Sequence, residues 1–263
     1  MNVHFVKMHG AGNDFILIDD REGTFPVSDS RLLARMAARG TGVGCEGIIF
    51  VQRSQTADFR MRFFNPDGSE AEMCGNGARC VAAFAREIGA VKADTMRFET
   101  LAGECRAEIV GPMRVKVWMP APKNLAPNFI NSGVPHCIVP VADLEHTDVV
   151  GEGQRIRYSD AFAPAGTNVD FVTYFAPNRA HIRTYERGVE AETGACGTGS
   201  VAAALIGVAQ YGLQFPVCVQ TVKGYELTID GAFDGVEFSS VTLTGPVCRV
   251  YEATLNCETL DTH

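Results

Sequence analysis

Short runs rich in β-branched and aromatic residues recur along the chain and predict a structure built mainly of strands. These runs are residues 15–19, 47–52, 59–64, 96–100, 105–110 and 114–119. Patterns with a helical period are fewer, and they cover residues 30–39 and the segments that follow Cys74 and Cys196. Three prolines within residues 119–129 indicate a connection between two units.

The segment at residues 201–209, VAAALIGVA, is apolar on every side. No face of such a helix suits water, so it must be enclosed by other structure. It is also much shorter than the ~20 apolar residues that a membrane-spanning helix requires. The sequence therefore predicts an α+β fold in which a curved or closed, mostly antiparallel sheet surrounds a central helix.

The two halves of the chain share an order of features: a strand with arginine, an acidic loop, Cys-Gly-x-Gly and an alanine-rich helix. A shift of 122 residues places Phe63 on Tyr185 and Cys74 on Cys196. This self-similarity predicts an internal duplication. We expect an N-terminal domain at residues 1–120 that carries Cys74 and a C-terminal domain at residues 121–246 that carries Cys196.

Charge and cysteine usage exclude several classes of protein. A net charge of −8 disfavours a nucleic-acid partner, because no basic stripe is present to neutralise phosphates. The N-terminal residues lack the basic start and apolar run of a secretory signal, so a cytoplasmic location with reduced thiols is expected. The nine cysteines include no Cys-x-x-Cys pair, which disfavours a disulfide framework, a redox site and a metal site.

A dinucleotide-binding fingerprint, Gly-x-Gly-x-x-Gly, occurs at residues 42–47. That motif binds pyrophosphate only where a strand precedes it and a helix follows it. Here the helical pattern precedes the glycines and a strand pattern follows them. We therefore interpret the segment as a glycine-rich turn and not as a site for NAD.

The two Cys-Gly-x-Gly motifs carry the candidate chemistry. At a helix N-terminus the free N–H groups and the helix dipole stabilise a thiolate, which predicts a thiol pKa below the free value of about 8.5. The glycines let the backbone approach a ligand, and the exposed amides can bind a carboxylate. If both thiols faced one carbon α to a carboxylate, one could remove its proton while the other protonated the opposite face.

Other interpretations of these residues stay open at this level. Cys74 and Cys80 are also explained as buried residues at the start of a helix. A hydrolase with a nucleophilic cysteine activated by His136 is a further alternative, although it gives the second motif no role.

Seven segments of the sequence together resemble the diaminopimelate epimerase family. They are residues 10–15 (GAGNDF), 64–70 (FNPDGSE), 73–80 (MCGNGARC), 133–136 (GVPH), 166–168 (GTN), 185–188 (YERG) and 195–200 (ACGTGS), in family order over nearly the whole chain. The resemblance implies a cofactor-independent isomerase of lysine and cell-wall precursor synthesis that interconverts LL- and meso-2,6-diaminopimelate. It also implies two similar domains with the active site in the cleft between them, and a final strand at about residues 247–256 that returns to the first domain.

The resemblance also assigns site residues. Cys74 and Cys196 match the two acid/base thiols, and His136 and Glu186 match groups that tune them. The residues that match substrate-binding positions are Asn13, Asn65, Gly75, Asn76, Asn168, Glu186, Arg187, Gly197 and Thr198. No metal, pyridoxal phosphate or flavin is expected. The expected partner is a small amino acid, without nucleic acid or membrane, and a homodimer is compatible with the sequence.

Three positions depart from the family pattern. Val134 stands where many members carry a substrate-binding asparagine, and Gly47 stands where some carry glutamine. The loop from Arg187 to Cys196 is one residue longer than the common form. These departures leave two alternatives: another racemase, epimerase or isomerase of the same fold, and a non-catalytic module that binds an amino acid.

Overall fold

The computed structural model describes residues 1–72 and 74–261 and divides into two compact units. Unit 1 comprises Met1–Val117 and Pro246–His263, and unit 2 comprises Trp118–Gly245. A long strand, Phe238–Asn256, supplies residues to both units.

The sheet of unit 1 contains eight strands besides that long one. They are β1 (Asn2–Gly10), β2 (Asn13–Asp19), β3 (Gly47–Gln52), β4 (Phe59–Phe64), β5 (Glu70–Ala71), β6 (Thr95–Thr100), β7 (Gly103–Gly111) and β8 (Arg114–Trp118). Two pairings are parallel, β2 with β3 and β4 with β6, and the neighbouring pairings are antiparallel. The second part of the long strand pairs antiparallel with β1, and Val247 N–H donates to the Met113 carbonyl at 2.9 Å, so the sheet closes.

Two α-helices pack against opposite faces of this sheet. Helix α1 (Ser30–Ala37) lies on the outer face, and its N-cap residue Asp29 accepts a hydrogen bond from the N–H of Leu32 at 3.0 Å. Helix α2 (Gly75–Glu87) contacts β1, β2, β3 and β7 and is buried over most of its length. A short 3₁₀ helix, Cys257–Asp261, contacts α1.

Unit 2 repeats this plan with its own strands. They are β9 (Lys123–Ala126), β10 (Phe129–Asn131), β11 (Pro135–Pro140), β12 (Asn168–Phe175), β13 (Arg179–Glu186), β14 (Ala191–Thr193), β15 (Val217–Thr221), β16 (Glu226–Phe233) and the first part of the long strand, β17. The parallel pairings are β11 with β12 and β13 with β15, at the same places in the order as in unit 1. Helix α3 (Val149–Arg157) packs on β12 and β13, and a 3₁₀ turn follows at Asp160–Phe162.

Helix α4 (Gly197–Gln210) occupies the centre of unit 2. It contacts six strands, β10, β11, β12, β13, β15 and β16. Ala202, Ala203 and Ala204, which point in three different directions from the helix axis, are all 0% exposed. The predicted fold class is therefore confirmed: each unit is a mostly antiparallel sheet around a central helix. No helix in the described ranges has the length and apolar character needed to cross a bilayer.

The residue shift that aligns unit 1 with unit 2 differs by one between the strands and the central helices. Phe64 packs in the cluster that includes α1 residues, and Tyr185 packs in the corresponding cluster with Val149 of α3. The strands therefore match with a shift of 121 residues, whereas Cys74 and Cys196 match with a shift of 122. Aligning Phe63 with Tyr185 was wrong by one position, because the extra residue lies in the loop before Cys196.

The complete enclosure of α4 leads to a prediction about stability. Replacing Ala202, Ala203 or Ala204 with Asp should each abolish soluble, folded protein, because burying an unpaired carboxylate costs several kcal/mol out of a total of roughly 5–15 kcal/mol. The matched control is Val150→Asp in the first turn of α3, where the side chain is 52% exposed and a negative charge suits the helix end. Soluble yield and urea midpoints measure the difference. If one of the three alanine sites tolerates Asp as Val150 does, α4 has an open face.

Candidate active site

The first cysteine site lies at the N-terminus of α2 in unit 1. Cys74 is the N-cap residue, with an extended backbone (φ −130°, ψ 124°), and its side chain is partly buried. Gly75 and Asn76 form the first turn, so the backbone N–H groups of the helix start and the positive end of the helix dipole lie beside the thiol. Gly77 allows close packing here, because a Cβ would lie 3.0 Å from Ile49 Cδ1. Met73 of the same motif lies outside the described residues.

A buried arginine supports this turn. Arg79 is 0% exposed, and its Nη2 donates to Asn76 Oδ1 at 2.7 Å while its Nη1 donates to the Gly75 carbonyl at 3.2 Å. Asn76 is itself only 2% exposed, so the guanidinium fixes its side chain. Our sequence analysis missed Arg79. The available signal was a single arginine within an otherwise apolar stretch of helix.

Asn13 lies next to the first turn of α2. It pairs with Gly10 across the β1–β2 hairpin, and a Cβ on Gly10 would lie only 2.9 Å from the Asn76 carbonyl oxygen. Asn13 Nδ2 donates to Glu46 Oε2 at 2.7 Å. Its Oδ1 is buried and has no hydrogen-bond partner among the residues that the structure describes. Asn13 can therefore offer an acceptor oxygen to a ligand.

A small ionic network holds the surroundings of Asn13. Lys7 Nζ lies 2.6 Å from Asp14 Oδ2, and Arg39 Nη2 lies 2.7 Å from Asp14 Oδ1. Burial alone would raise the pKa of Asp14, but the hydrogen bonds from Lys7 and Arg39 outweigh burial and hold that pKa below its ordinary value. Arg39 also lies 3.6 Å from Glu46, the residue that binds Asn13.

Asn65 is fixed by the turn that follows β4. Its N–H donates to the Ser69 carbonyl at 2.8 Å, and its Nδ2 donates to Ser69 Oγ at 3.1 Å. Gly68 completes the turn with φ 82°, and a Cβ there would lie 2.1 Å from the Ser30 carbonyl oxygen. Glycine is therefore required at position 68.

The glycine at position 47 has a local explanation. A Cβ on Gly47 would lie 2.4 Å from Cε2 of Phe63, whose ring also packs edge-to-face with Phe15 at a centroid distance of 6.2 Å. A glutamine at this position would require Phe63 to move or to be smaller. The glutamine contact that the resemblance implies is therefore not transferred to Gly47.

The second cysteine site lies at the N-terminus of α4 in unit 2. Cys196 is the N-cap residue (φ −111°, ψ 112°), and its Sγ accepts from the N–H of Gly199 at 3.4 Å. Burial, followed by the charges of Glu186 and Asp170, raises the pKa of Cys196 well above its ordinary value, against the hydrogen bonds from Thr198 and Gly199. The predicted drop in pKa is wrong for this cysteine, because desolvation and two carboxylates outweigh the helix end.

A chain of hydrogen bonds leads from Cys196 into the core of unit 2. Cys196 Sγ lies 3.5 Å from Thr198 Oγ1, which lies 3.0 Å from Nε2 of the fully buried His136. Nδ1 of His136 lies 2.7 Å from Asp170 Oδ2, and Thr184 Oγ1 donates to Asp170 Oδ1 at 2.7 Å. His136 and Thr198 were predicted from the sequence as site residues, whereas Asp170 and Thr184 were not.

The chain has one consistent direction of donation. A carboxylate oxygen of Asp170 accepts, so the proton of a neutral imidazole lies on His136 Nδ1 and Nε2 is the acceptor. While Cys196 is a thiol, the hydroxyl of Thr198 can donate to Nε2 and accept from the thiol; once the thiolate forms, the same hydroxyl can donate to Sγ. This arrangement can move a proton from Cys196 towards His136.

Asn168 and Arg187 are tied together beside this chain. Asn168 Nδ2 donates to the Pro135 carbonyl at 3.0 Å, and its Oδ1 accepts from the backbone N–H of Arg187 at 2.9 Å. Arg187 Nη1 donates to the Ala165 carbonyl at 3.4 Å. The amide of Asn168 therefore orients the turn that carries Arg187.

Glu186 ends β13 and is held by the neighbouring strand. Its Oε2 accepts from Thr193 Oγ1 at 2.9 Å, and its charge acts on Cys196. The longer loop bends at Glu190, which has φ 58° and donates its N–H to the Glu186 carbonyl at 2.9 Å. The extra residue is thus absorbed without separating Glu186 from Cys196.

Metal binding was tested on the side chains present. Within residues 1–72 and 74–261, no three His, Cys, Asp or Glu side chains converge in a way that could hold an ion. The expectation that the chemistry needs no cofactor stays a prediction.

A family model and the curated relatives identify one family. The model of the family described as diaminopimelate epimerase matches residues 5–124 and 128–248. The diaminopimelate epimerase of Aquifex aeolicus is 42% identical over 283 residues, which cover 98% of this chain and 100% of that protein. That of Chlorobaculum tepidum is 40% identical over 258 residues, which cover 94% of this chain and 99% of that protein.

Solved structures show the same fold at low identity. A PhzF-family phenazine biosynthesis protein of Bacillus anthracis aligns with a TM-score of 0.75 and 16% identity, over 97% of this chain and 99% of that one. A probable proline racemase of Agrobacterium radiobacter K84 aligns with a TM-score of 0.71 and 15% identity, over 99% of this chain and 94% of that one. At these identities the structures bear on the fold alone.

The Thr198 hydroxyl gives a testable stability difference. Thr198→Val removes the hydroxyl that His136 Nε2 and Cys196 Sγ share, and a buried polar group left without a partner costs ~1–3 kcal/mol. Thr198→Ser keeps the hydroxyl and should lose much less. Urea denaturation of both variants measures the difference. Equal stability of the two variants would contradict the hydrogen-bond chain.

Proposed function

The chain belongs to the diaminopimelate epimerase family, whose members are isomerases, and we propose that it interconverts LL- and meso-2,6-diaminopimelate. The reaction is a two-base proton transfer by Cys74 and Cys196 without a metal, pyridoxal phosphate or flavin. It serves the synthesis of lysine and of peptidoglycan precursors in the cytoplasm. The observation that carries the proposal is the placement of one cysteine at the N-cap of the buried central helix in each unit.

The two helix N-termini are the proposed binding groups for the reacting carboxylate. The backbone N–H groups of Gly75 and Asn76 and those of Gly197 and Thr198 lie in the first turns of α2 and α4, where they point out of the helix start. A carboxylate satisfies such groups and interacts favourably with the helix dipole. The same amides stabilise the charge that develops on the carboxylate when the α-proton leaves.

The proposed chemistry needs one thiolate and one thiol at a time. The thiolate takes the α-proton: the C–H bond breaks, an S–H bond forms, and the electron pair stays on the substrate as a carbanion delocalised into the carboxylate. The opposite thiol then gives its proton to the other face of the α-carbon and becomes the thiolate. The configuration is inverted, and the protonation states of Cys74 and Cys196 are exchanged.

The surroundings of Cys196 suit it to the role of acid. Its raised pKa keeps it a thiol at neutral pH. In the reverse direction Cys196 must start as the thiolate and Cys74 as the thiol. The chain through Thr198 to His136 then accepts the proton of Cys196, Asp170 stabilises the imidazolium that results, and the partly exposed Cys74 takes a proton from water. His136 and Asp170 thereby let a buried thiol ionise transiently.

Polar groups near both cysteines are proposed to bind the rest of the substrate. Asn13 Oδ1 can accept from an ammonium group, and Asn65 adds a second amide in the same unit. Arg187 supplies a cation for a carboxylate, and Asn168 orients it. Such a set of donors and acceptors fits a substrate with a second amino-acid centre.

Two alternatives receive less support. An isomerase that acts on a different amino acid is suggested only by solved structures near 15% identity, whereas the curated relatives near 40% identity are named diaminopimelate epimerases. A non-catalytic binding module would use the helix ends but would not exchange the α-hydrogen. Deuterium exchange at the α-carbon of diaminopimelate distinguishes both alternatives from the proposed function.

Deuterium incorporation is the decisive measurement. The purified protein incubated with LL-diaminopimelate in D₂O should place deuterium at one α-carbon and form the meso isomer. Cys74→Ala and Cys196→Ala should each reduce this turnover by at least about 10³-fold, since removal of an essential acid or base removes its full catalytic contribution. Cys105→Ala and Cys137→Ala, one in each unit, are matched controls that should keep full turnover. Undiminished exchange in either active-site variant would refute the assignment.

Oxidation gives an independent test of the pairing of the thiols. If Cys74 and Cys196 act on opposite faces of one carbon, a mild oxidant should link them in a disulfide and stop turnover, and a reductant should restore it. Peptide mapping by mass spectrometry identifies the linked peptides. Oxidised, inactive protein in which both thiols remain unmodified would count against the pairing.

A further inference from the structure

Arg79 is an unusual buried cation at the first cysteine site. Its side chain is fully buried inside the sheet of unit 1, and its two hydrogen bonds go to neutral oxygens of Gly75 and Asn76. Its Nε has no hydrogen-bond partner, and no carboxylate pairs with it, within the described part of the chain. A buried charge without a counter-ion is expensive, so its retention calls for a compensating anion.

The strands around α2 supply no such anion. Their charged and titratable side chains are His4, Lys7, His9, Asp14, Asp19, Cys105, Glu104, Arg106 and Glu108. None of the carboxylates among them forms an ion pair with Arg79. The groups that act on the Arg79 charge are Cys80 and Cys74 of the helix itself, and Cys248 of β17 acts in turn on Cys80.

Of the two thiols beside Arg79, only Cys74 is placed to become an anion. Cys80 is completely buried, and burial raises its pKa far above the ordinary range despite Arg79. Cys74 is partly exposed and lies at the helix N-terminus, so both water and the helix dipole stabilise its thiolate. Burial lowers the pKa of Arg79, and the interactions with Cys80 and Cys74 act against burial. A guanidinium nevertheless stays protonated in proteins, and its charge favours the Cys74 thiolate in return.

The second cysteine site lacks this cation. The residue five positions after Cys196 is Val201, which corresponds to Arg79. The polar side chains of the sheet show the opposite distribution. Unit 2 has His136, Asp170 and Thr184 at the positions where unit 1 has Phe15, Ile49 and Phe63. One cysteine therefore lies near a buried cation, and the other lies near a buried histidine–carboxylate pair.

We propose that Arg79 is a positioning residue that fixes the first turn of α2 and supplies the permanent positive charge that maintains Cys74 as a thiolate in the resting protein. The inference rests on the proposed function only in that Cys74 is an acid/base thiol. It explains why Arg79 has no carboxylate partner, since the thiolate, and then the substrate carboxylate, complete its electrostatic surroundings.

The test is the pH dependence of Cys74 alkylation. Iodoacetamide labels the native protein across pH 5–10, and peptide mapping follows Cys74 separately from the other cysteines. In the natural sequence the midpoint for Cys74 should lie below the free-thiol value of about 8.5. A midpoint at or above that value would overturn the proposal without any variant.

Substitution of Arg79 separates charge from packing. In Arg79→Met the Cys74 midpoint should rise by about one pH unit or more, the range expected when a close opposite charge is removed. In Arg79→Lys, which keeps the charge and loses the fork, it should rise much less. Cys105 serves as an internal control whose labelling should not change. Arg53→Met removes an arginine that is paired only at the surface and should leave the Cys74 midpoint unchanged.

Each outcome bears on the proposal. A lowered unfolding temperature in Arg79→Met with an unchanged Cys74 midpoint would reduce Arg79 to a packing residue. If Arg79→Met does not fold, a Lys variant with a midpoint raised by a full unit would contradict the role of the charge. If the protein exchanges no deuterium with diaminopimelate but its Cys74 midpoint is low, the proposed substrate is wrong and the role of Arg79 still holds.

Discussion

The first turn of a buried helix is the constraint on which this structure depends. A helix enclosed by a sheet still has N-terminal N–H groups that its own backbone cannot satisfy, and burying them unpaired is costly. Both units place a cysteine at the N-cap and glycines in the first turn, and in unit 2 the cysteine Sγ accepts from the N–H of Gly199 at 3.4 Å. In the proposed function, the substrate carboxylate satisfies these N–H groups beside each thiol.

Both units have this arrangement at the helix N-terminus, but different side chains surround the two cysteines and stabilise charge there. In unit 1 the helix brings its own cation, Arg79, into a sheet interior lined at the corresponding positions by Phe15, Ile49 and Phe63. In unit 2 the helix carries no charged side chain, and the sheet supplies the titratable groups, His136 and Asp170. The duplication thus preserved geometry while the electrostatics of the two cysteines diverged. Such divergence suits a reaction in which the two thiols must hold different protonation states.

Sequence patterns predicted the fold class and most strands of unit 1, because its buried strands have dense runs of β-branched and aromatic residues. Strands 47–52 and 59–64 agree with the structure at both ends. Helix α3 and the first strand, Asn2–Gly10, were not predicted, because glycines and charged residues dilute their patterns. The motifs located both cysteines, but Asp170 and Arg79 look like ordinary charged residues in the sequence. Only their burial, a property of the tertiary structure, distinguishes them, and the same burial reversed the expected effect of the helix end on Cys196.

The long strand Phe238–Asn256 has a consequence for synthesis on the ribosome. Its second part pairs with β1 along residues 247–256, yet 128 residues of unit 2 separate those residues from the rest of unit 1. At roughly 5–20 residues per second, the nascent N-terminal sheet waits about 6–25 s with an unpaired edge. During that interval β1 exposes backbone groups that another strand can pair with. Completion of the first unit is therefore coupled to translation of the second, and chaperones have a defined edge to protect in the meantime.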